Sequence, residues 1–542
     1  MARSVFGSSM ASNQAKAPIV VIGSGPAGVA CAWGLAERGF KPLVVDAGRW
    51  LEPDRELALQ RALRPEGLDP GFAAELERSF RVDVDRLPLK PAFGSLFPYA
   101  VDEPLLPTRA RAVGVVQSVG LGGLSSVWGG AVLPFHDRDL QGWPLRIAEL
   151  APHYRSTFRF VPLAGQRDEL EELFPLYGEP EPLEPTAQIA AILGRLRMAS
   201  EELREAGLVS GRARLAVASG ASTLATACRY TGLCMYGCPY GSIYNAATTL
   251  RELLDAGAVK YRPGRIVDRL EETRGAVRVR LRPLDGGGPE TLLAERVFVA
   301  AGVLGSTRIV LGSLDAYDQP VSLLEAAYYT LPLVTRQRPA RVGRGLSGNT
   351  LAQIFLELDD REISAHLVHV QVYGYSDLML RAVAARSHLP ERVAMRLLQP
   401  LLGRLLFAGG YLHSDDSPRM SAQLIQEDAG DVLALSPGDG EGAAQRVAAA
   451  VRKLRSLRPL TGFSPLASML QIWPQGKGFH VGGSFPMGER PGELESDLLG
   501  RPTGFRRVHV VDASVLPSIP ATTITLSAIA NAQRIAAEHD QD

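Results

Sequence analysis

Ala17-Pro18-Ile19-Val20-Val21-Ile22-Gly23-Ser24-Gly25-Pro26-Ala27-Gly28 is a short apolar, β-branched run that breaks into a glycine-rich turn. A helical pattern follows to about Arg38, then Gly39, a second strand from Pro42 to Val45, and Asp46. Strand, glycine-rich turn, helix, strand and acid in that order predict the first βαβ unit of a Rossmann-like domain. Glycines at 23, 25 and 28 permit a tight turn and bring a pyrophosphate close to the helix N-terminus. There, free N–H groups and the helix dipole favour an anion. Asp46 is placed to hydrogen-bond a ribose hydroxyl. The bland alternative is a chance glycine-rich turn, and the flanking strand, helix, second strand and acid weigh against it. The signature alone does not separate FAD from NAD.

The chain as a whole is too long for one ordinary core. Its 542 residues predict two domains, or one large nucleotide-binding domain carrying a long insertion. With 46% hydrophobic and 21% charged residues the composition is globular, neither disordered nor fibrous. Basic and acidic residues balance at 58 each, so no global charge draws the chain to nucleic acid or to an anionic membrane. No apolar run is as long as a membrane span, and Met1 to Lys16 lacks the apolar stretch of a secretory signal. Cytoplasm is the default expectation; a protein exported with a partner would have the same sequence.

Outward from the first corner, Leu51 to Arg111 reads as short helices and loops. Gly120-Leu121-Gly122-Gly123-Leu124-Ser125-Ser126-Val127-Trp128-Gly129-Gly130 is a second glycine-rich stretch. Its glycines alternate with Leu, Val and Trp, which predicts a packed segment whose backbone lies along a ligand rather than a floppy linker. A helix is expected from about Ala187 to Ala206, a second from Tyr244 to Ala256, then strands at 259–266, 277–281, 291–293 and 296–301. The last of these runs into Ala300-Ala301-Gly302, a second βα corner. From about Leu314 to Pro465 alternating stretches such as Gln353 to Leu358 and His366 to Tyr373 predict half-buried antiparallel strands. Within this block Arg392 to Phe407, with Arg392, Arg396 and Arg404, reads as a pair of substrate-domain helices, a membrane or partner surface being the alternative. Gly438 to Arg455 reads as an amphipathic helix.

Three of the four cysteines sit together: Cys228, Cys234 and Cys238, the last followed by Pro239. One cluster and a distant Cys31 make a poor disulfide framework. Three thiolates in a Gly/Pro-bounded loop are short of the four ligands usual for structural zinc and suit a three-iron cluster better; three buried reduced thiols are the bland alternative. Near the C-terminus stand His480-Val481-Gly482-Gly483-Ser484-Phe485-Pro486-Met487-Gly488 and Val510-Val511-Asp512-Ala513-Ser514-Val515-Leu516-Pro517, then a Thr-rich turn and a helical ending, Ala521 to Ala537.

These pieces in this order resemble the glucose–methanol–choline (GMC) flavoprotein oxidoreductases. The resemblance spans both ends and the middle cofactor segments, and leaves only the roughly 150-residue substrate block without motifs. It implies an α/β fold: a Rossmann-like FAD-binding domain with an inserted α+β substrate domain built on an antiparallel sheet. The FAD-binding domain would comprise 17–150, 226–313 with the cysteine motif, and 466–542; residues 151–225 would be a substrate-domain or covering segment, and 314–465 the substrate-binding domain. FAD would lie with its ADP half on Gly23, Gly25, Gly28 and Asp46, and along Gly120, Gly122, Gly123, Ser125, Ser126 and Ala301. Asp512 and Ala513 would sit near the ribityl–pyrophosphate region, and the backbone of Thr523, Ile524 and Thr525 near the pyrimidine edge.

His480 falls at the family's catalytic histidine, which takes the hydroxyl proton of an alcohol while the carbinol hydride passes to flavin N5; an imidazole suits this because its pKa lies near neutrality. The cysteine segment is similar to that of the catalytic subunits of bacterial FAD-dependent glucose, sorbitol and gluconate dehydrogenases. It implies a [3Fe-4S] cluster on Cys228, Cys234 and Cys238, an alcohol or sugar substrate, and a cytochrome-like acceptor or small accessory subunit as partner. An oxygen-using oxidase and an FAD-retaining lyase or isomerase are the alternatives. One departure stands out. The family's second catalytic residue, Asn or His, maps to Thr523 counting from Asp512 and to Ala521 counting back from Thr525, and neither is a base near neutral pH.

Overall fold

The computed structural model describes residues 17–64, 66–79, 89–100, 106–220, 225–336, 348–374, 376, 390–398, 403–428 and 430–540. The strand Ala17–Ile22 lies inside a seven-stranded sheet, parallel to Leu43–Val45 on one side and to Glu290–Val299 on the other. Lys260–Arg262 continues the parallel set beyond Leu43–Val45. Strands buried on both faces carry unbroken apolar sequence rather than alternation, and Val20, Val21, Val44, Val45, Val297 and Val299 are fully buried. Val277–Pro283 and Arg265–Glu272 add antiparallel strands to the sheet. In Val277–Pro283 buried and exposed residues alternate, the pattern of a strand with one wet face.

The segments 291–293 and 296–301, expected as two strands, are one: Glu290–Val299. Its first half pairs antiparallel with Val277–Leu281, its second half parallel with Val508–Val510. Glu295 and Arg296 interrupt the apolar pattern where the strand changes neighbour, not where it ends. Arg296 is held there by the carbonyl of His539, at the end of the last helix. That helix, Thr525–Glu538, lies against the first, Pro26–Glu37, and a side chain at Gly34 would meet Ala536 at 3.2 Å. Small residues set the close approach. The chain's two ends are therefore partners in one layer.

A second sheet, antiparallel except for a parallel edge strand at Thr108–Ala110, covers the helix Gly302–Ser313. It holds Pro320–Glu325, Met420–Glu427 and Gly430–Ser436, with Val481–Gly482 added at one edge and Thr108–Ala110 at the other. The third sheet is wholly antiparallel, running Leu208–Arg212, Ala352–Leu358, Val368–Tyr373, Leu405–Tyr411, Tyr328–Thr335, Phe463–Pro465. Because successive side chains alternate across a pleated sheet, its strands have two distinct faces. Leu331, Leu333, Ile354, Leu356, Val370, Val372, Leu406 and Ala408 meet Ile189, Ile192, Val447 and Leu454 of the helices Ala187–Met198 and Glu441–Ser456. The intervening residues Tyr328, Glu357, His369, Gln371, Tyr373 and Tyr411 go to the opposite face. One face is a core; the other is a polar and aromatic wall.

The segment 392–407, read as two helices, is a helix at Glu391–Leu398 and then the strand Leu405–Tyr411, with 399–402 outside the described residues. The strand wins because Gly409 and Gly410 follow Phe407: a Cβ at Gly410 would run into the Tyr329 ring at 2.1 Å, so the neighbouring strand's tyrosine fixes this stretch in the sheet.

Candidate active site

The glycine-rich corner is built by close approach. Gly23 has φ +99°, and a Cβ there would strike the carbonyl oxygen of Ala300 at 2.3 Å; at Gly28 it would strike the carbonyl of Gly23 at 2.1 Å. Both positions are closed to any larger residue. Gly25 differs: nothing lies within 4 Å of its missing side chain, and it caps the helix Pro26–Glu37 with no side chain over the helix end. Open space in front of free helical N–H groups is an anion cradle. Ser24 donates to the carboxylate of Asp46 and accepts from the N–H of Gly122 at 3.0 Å, tying the first corner to the second glycine-rich stretch. Burial pushes the Asp46 carboxyl up to about 6, opposed by hydrogen bonds from Ser24, Ala47 and Gly48.

Around this corner opens a cavity of about 1280 Å³ including its mouth, ample for a dinucleotide. Gly23, Gly25, Asp46, Gly120, Gly123, Ala301 and Asp512 line it, four distant chain segments meeting in one place. Gly122, Ser125 and Ser126 lie just behind. Ser125 donates to the Gly122 carbonyl (2.5 Å) and accepts from the N–H of Ala246, while Ser126 accepts from Asn245, the cap of the helix Ala246–Asp255. These serines shape the loop; they do not face the cavity. Ala513, Thr523, Ile524 and Thr525 are likewise outside the lining.

The C-terminal motifs zip together. Gly483, Phe485 and Met487 donate their N–H groups to the carbonyls of Ala513, Ser514 and Val515 at 2.8–2.9 Å. A Cβ at Gly482 would meet the Ala513 carbonyl at 2.4 Å, which is why glycine stands there. Asp512 accepts from Ser514 N–H (3.0 Å) and from the Ser306 hydroxyl (2.5 Å), and burial raises its carboxyl above the ordinary range. Phe479 and Val481 line the cavity, whereas His480 between them turns the other way, its ring stacked on Tyr411 at 4.7 Å and 22°. His480 thus stands at the seam between the cavity and the polar wall of the third sheet. Among the described residues its Nδ1 is buried without a partner, and burial, aided by the nearby His369, pushes the imidazole down to about 3. The ring is neutral at pH 7, with a lone pair free to accept a proton.

Neither candidate for the missing partner offers a base there. Ala521 is buried, and the Thr523 hydroxyl accepts the N–H of Leu133 at 3.0 Å. What sequence reading did not find is the wall. Behind Tyr411 lies a buried chain in which His369 Nδ1 meets Glu357 at 2.7 Å, His369 Nε2 meets Gln371 at 3.2 Å, and the Tyr373 hydroxyl donates to Gln371 at 2.7 Å. The only signal for it was period-two alternation, which marks a face but not what the face confronts.

Cys228, Cys234 and Cys238 line one small pocket. Each sulfur receives a backbone N–H, from Tyr230, Thr350 and Ser242 in turn. Burial pushes the Cys228 thiol up to about 11 and raises Cys234. Lys90 lies near Cys234 and Cys238, its ammonium lowered to about 8 by burial, and it donates to the carbonyl of Trp128 at 2.9 Å. N–H donors and a cation around three sulfurs suit thiolates better than apolar thiols. Among the described residues the one group with three ligand atoms within 4.8 Å of each other is Asp139, His366 and His413; the cysteines are not such a group. A single ion needs sulfurs closer than that, whereas a multi-iron cluster, binding each sulfur to a different iron, spreads them.

The Asp139 trio was not anticipated. The His366 and His413 rings are parallel (3.6 Å, 7°), so their in-plane lone pairs run side by side instead of converging on one ion. Asp415 lies on both, 3.3 Å from His366 Nε2 and 3.6 Å from His413 Nδ1. The trio braces the turn before the last helix: the Ser518 hydroxyl donates to the Asp139 carbonyl (3.2 Å), and Ser414 and Ile519 exchange two hydrogen bonds.

Residues 443–532 match the family model described as GMC oxidoreductase, and residues 21–51 that of an NAD(P)-binding Rossmann-like domain. No curated protein matches the chain by sequence. Among solved structures the fold is similar to that of pyridoxine 4-oxidase from Mesorbium loti, with a TM-score of 0.62 over 97% of this chain and 100% of that one, at 16% identity. The two matched segments face each other across the cavity. With a nucleotide corner from one and a C-terminal segment of the GMC type from the other, the chain is an FAD-dependent oxidoreductase.

Proposed function

We propose that the chain oxidises the CH–OH group of an alcohol, a sugar or a related metabolite and passes the electrons to an external acceptor. The observation that carries this reading is His480, a neutral imidazole held by the zipped C-terminal motifs at the seam between the dinucleotide cavity and the wall of the third sheet. FAD, when bound, supplies the acceptor for the substrate's hydride. Gly23, Gly25 and Gly28 bring the helix N-terminus to its pyrophosphate, Asp46 holds a ribose hydroxyl, and Gly120, Gly123, Ala301 and Asp512 shape the rest of the cavity. Ser125, Ser126, Ala513, Thr523, Ile524 and Thr525 hold these segments in place. His480 accepts the hydroxyl proton.

Cys228, Cys234 and Cys238 hold an iron–sulfur cluster in this reading, which favours a dehydrogenase serving a cytochrome-like partner. The oxidase reading is favoured by the fold's likeness to pyridoxine 4-oxidase. Peroxide formed in proportion to product decides for an oxidase.

The test of the proton-transfer role is anaerobic. His480→Ala is expected to retain FAD and to lose flavin bleaching by a substrate alcohol by several orders of magnitude. Bleaching at the parent rate would remove His480 as the base.

A further inference from the structure

An alcohol losing a proton and a hydride leaves a carbonyl, and its oxygen carries partial negative charge on the way. A base alone handles the proton. The oxygen also needs a donor, and a pre-placed donor is worth on the order of 100-fold or more in rate. In the turn 520–525, Ala521 is apolar, and the hydroxyls of Thr522 and Thr523 are buried, the second accepting from the N–H of Leu133.

We propose that Tyr411, from the third sheet, is that donor, and so the second catalytic residue of the site. The inference rests on the function proposed above. Tyr411 is the ring on which His480 lies, at 4.7 Å and 22°. Strand alternation sends it to the wall rather than to the helix-covered core, and its other face stacks on Tyr328 at 4.7 Å. Among the described residues its hydroxyl makes no hydrogen bond, yet it is not sealed from solvent, unlike the hydroxyl of its neighbour Tyr329. Burial, with Tyr328 and Tyr373 adding to it, holds the phenol well above its ordinary pKa, so it keeps its proton as a donor must.

The imidazole and the phenol divide the work. The O–H bond of the alcohol breaks with its proton going to His480. The electron pair of the C–H bond would leave as hydride to FAD, which supplies the acceptor when bound. The Tyr411 O–H stays intact and donates to the oxygen throughout. This explains how a turn that ends in Ala-Thr-Thr can serve: the donor has moved from the C-terminal turn to the facing sheet.

Tyr411→Phe keeps the stacked ring and removes only the hydroxyl. Anaerobic flavin bleaching by the best member of an alcohol and sugar panel should slow on the order of 100-fold at saturating substrate. FAD content and melting temperature should remain those of the parent. Tyr328→Phe should bleach within a few-fold of the parent. Bleaching by Tyr411→Phe at the parent rate overturns the assignment, as does a loss confined to Tyr328→Phe or one that follows FAD content. A parent holoenzyme that no alcohol or sugar bleaches overturns the proposed function, and this inference with it.

Discussion

Asp139 is a carboxylic acid placed where water does not reach it, and burial pushes it from 3.8 up to about 7. The folded chain then binds this proton more tightly than the unfolded chain. Its contribution to stability is complete below the ordinary pKa and is lost as pH rises through the folded one, at about 1.4 kcal/mol per pH unit in between. Asp139→Asn removes that titration. The melting temperature of the parent should therefore fall more steeply than that of the variant between about pH 4 and 7, and the two should run parallel above about pH 7. Equal slopes throughout would mean that Asp139 is ionised in the folded protein. Legibility at this scale divides by mechanism. Gly23, Gly28 and Gly482 are readable because close backbone approach forbids anything but glycine, and that leaves a motif. Tyr411 is not readable, because what matters is the ring stacked on it, almost seventy residues away in sequence.

At the scale of elements, the cysteine loop is the part of the molecule most open to a direct assay. Backbone N–H groups of Tyr230, Thr350 and Ser242 reach its three sulfurs, so the loop offers the surroundings of thiolates without closing on a single ion. Anaerobically purified protein is expected to contain about three irons per chain, and Cys234→Ser to lose them together with the visible iron–sulfur absorbance. Fully active protein free of iron would leave the loop as structural thiols. The helices and short strands around the first corner were legible from apolar runs and glycines. The strand Glu290–Val299 was not, since the charged pair at its centre marks a change of neighbour, and local pattern reports polarity rather than pairing. The stretch 405–407, taken as the end of a helix, is strand for a similar reason: Leu405-Leu406-Phe407 fits either period, and only the tyrosines of the adjacent strand decide.

For the whole molecule, the cavity is lined from the N-terminal corner, the 115–124 stretch, the Ala300–Arg308 corner and the 476–481 and 512 segments. A ligand binding there touches parts of the chain that are otherwise held only by the sheets, so it stabilises the assembly as a unit. Titrating FAD into apoprotein should raise the melting temperature, with a gain of about 2.7 kcal/mol at a hundred times Kd, while NAD should leave it unchanged. A response to NAD alone would reassign the cavity. The two-part architecture was legible because the end motifs are punctuated by glycine. The way the chain crosses between parts was not, because Leu208–Arg212 joins a sheet whose other strands begin more than a hundred residues later.

The pairing of Glu290–Val299 with Ala17–Ile22 and with Val508–Val510 bears on synthesis. Val297 finds one neighbour at Val20 and the other at Val508, so its sheet is assembled from contacts of very high sequence separation, the kind that form slowly. A growing chain displays the glycine corner more than four hundred residues before Asp512 is added, so the Asp512 side of the cavity does not exist until then. The nucleotide site is thus assembled late relative to its first corner, and cofactor capture reports that the Asp512 segment has joined it.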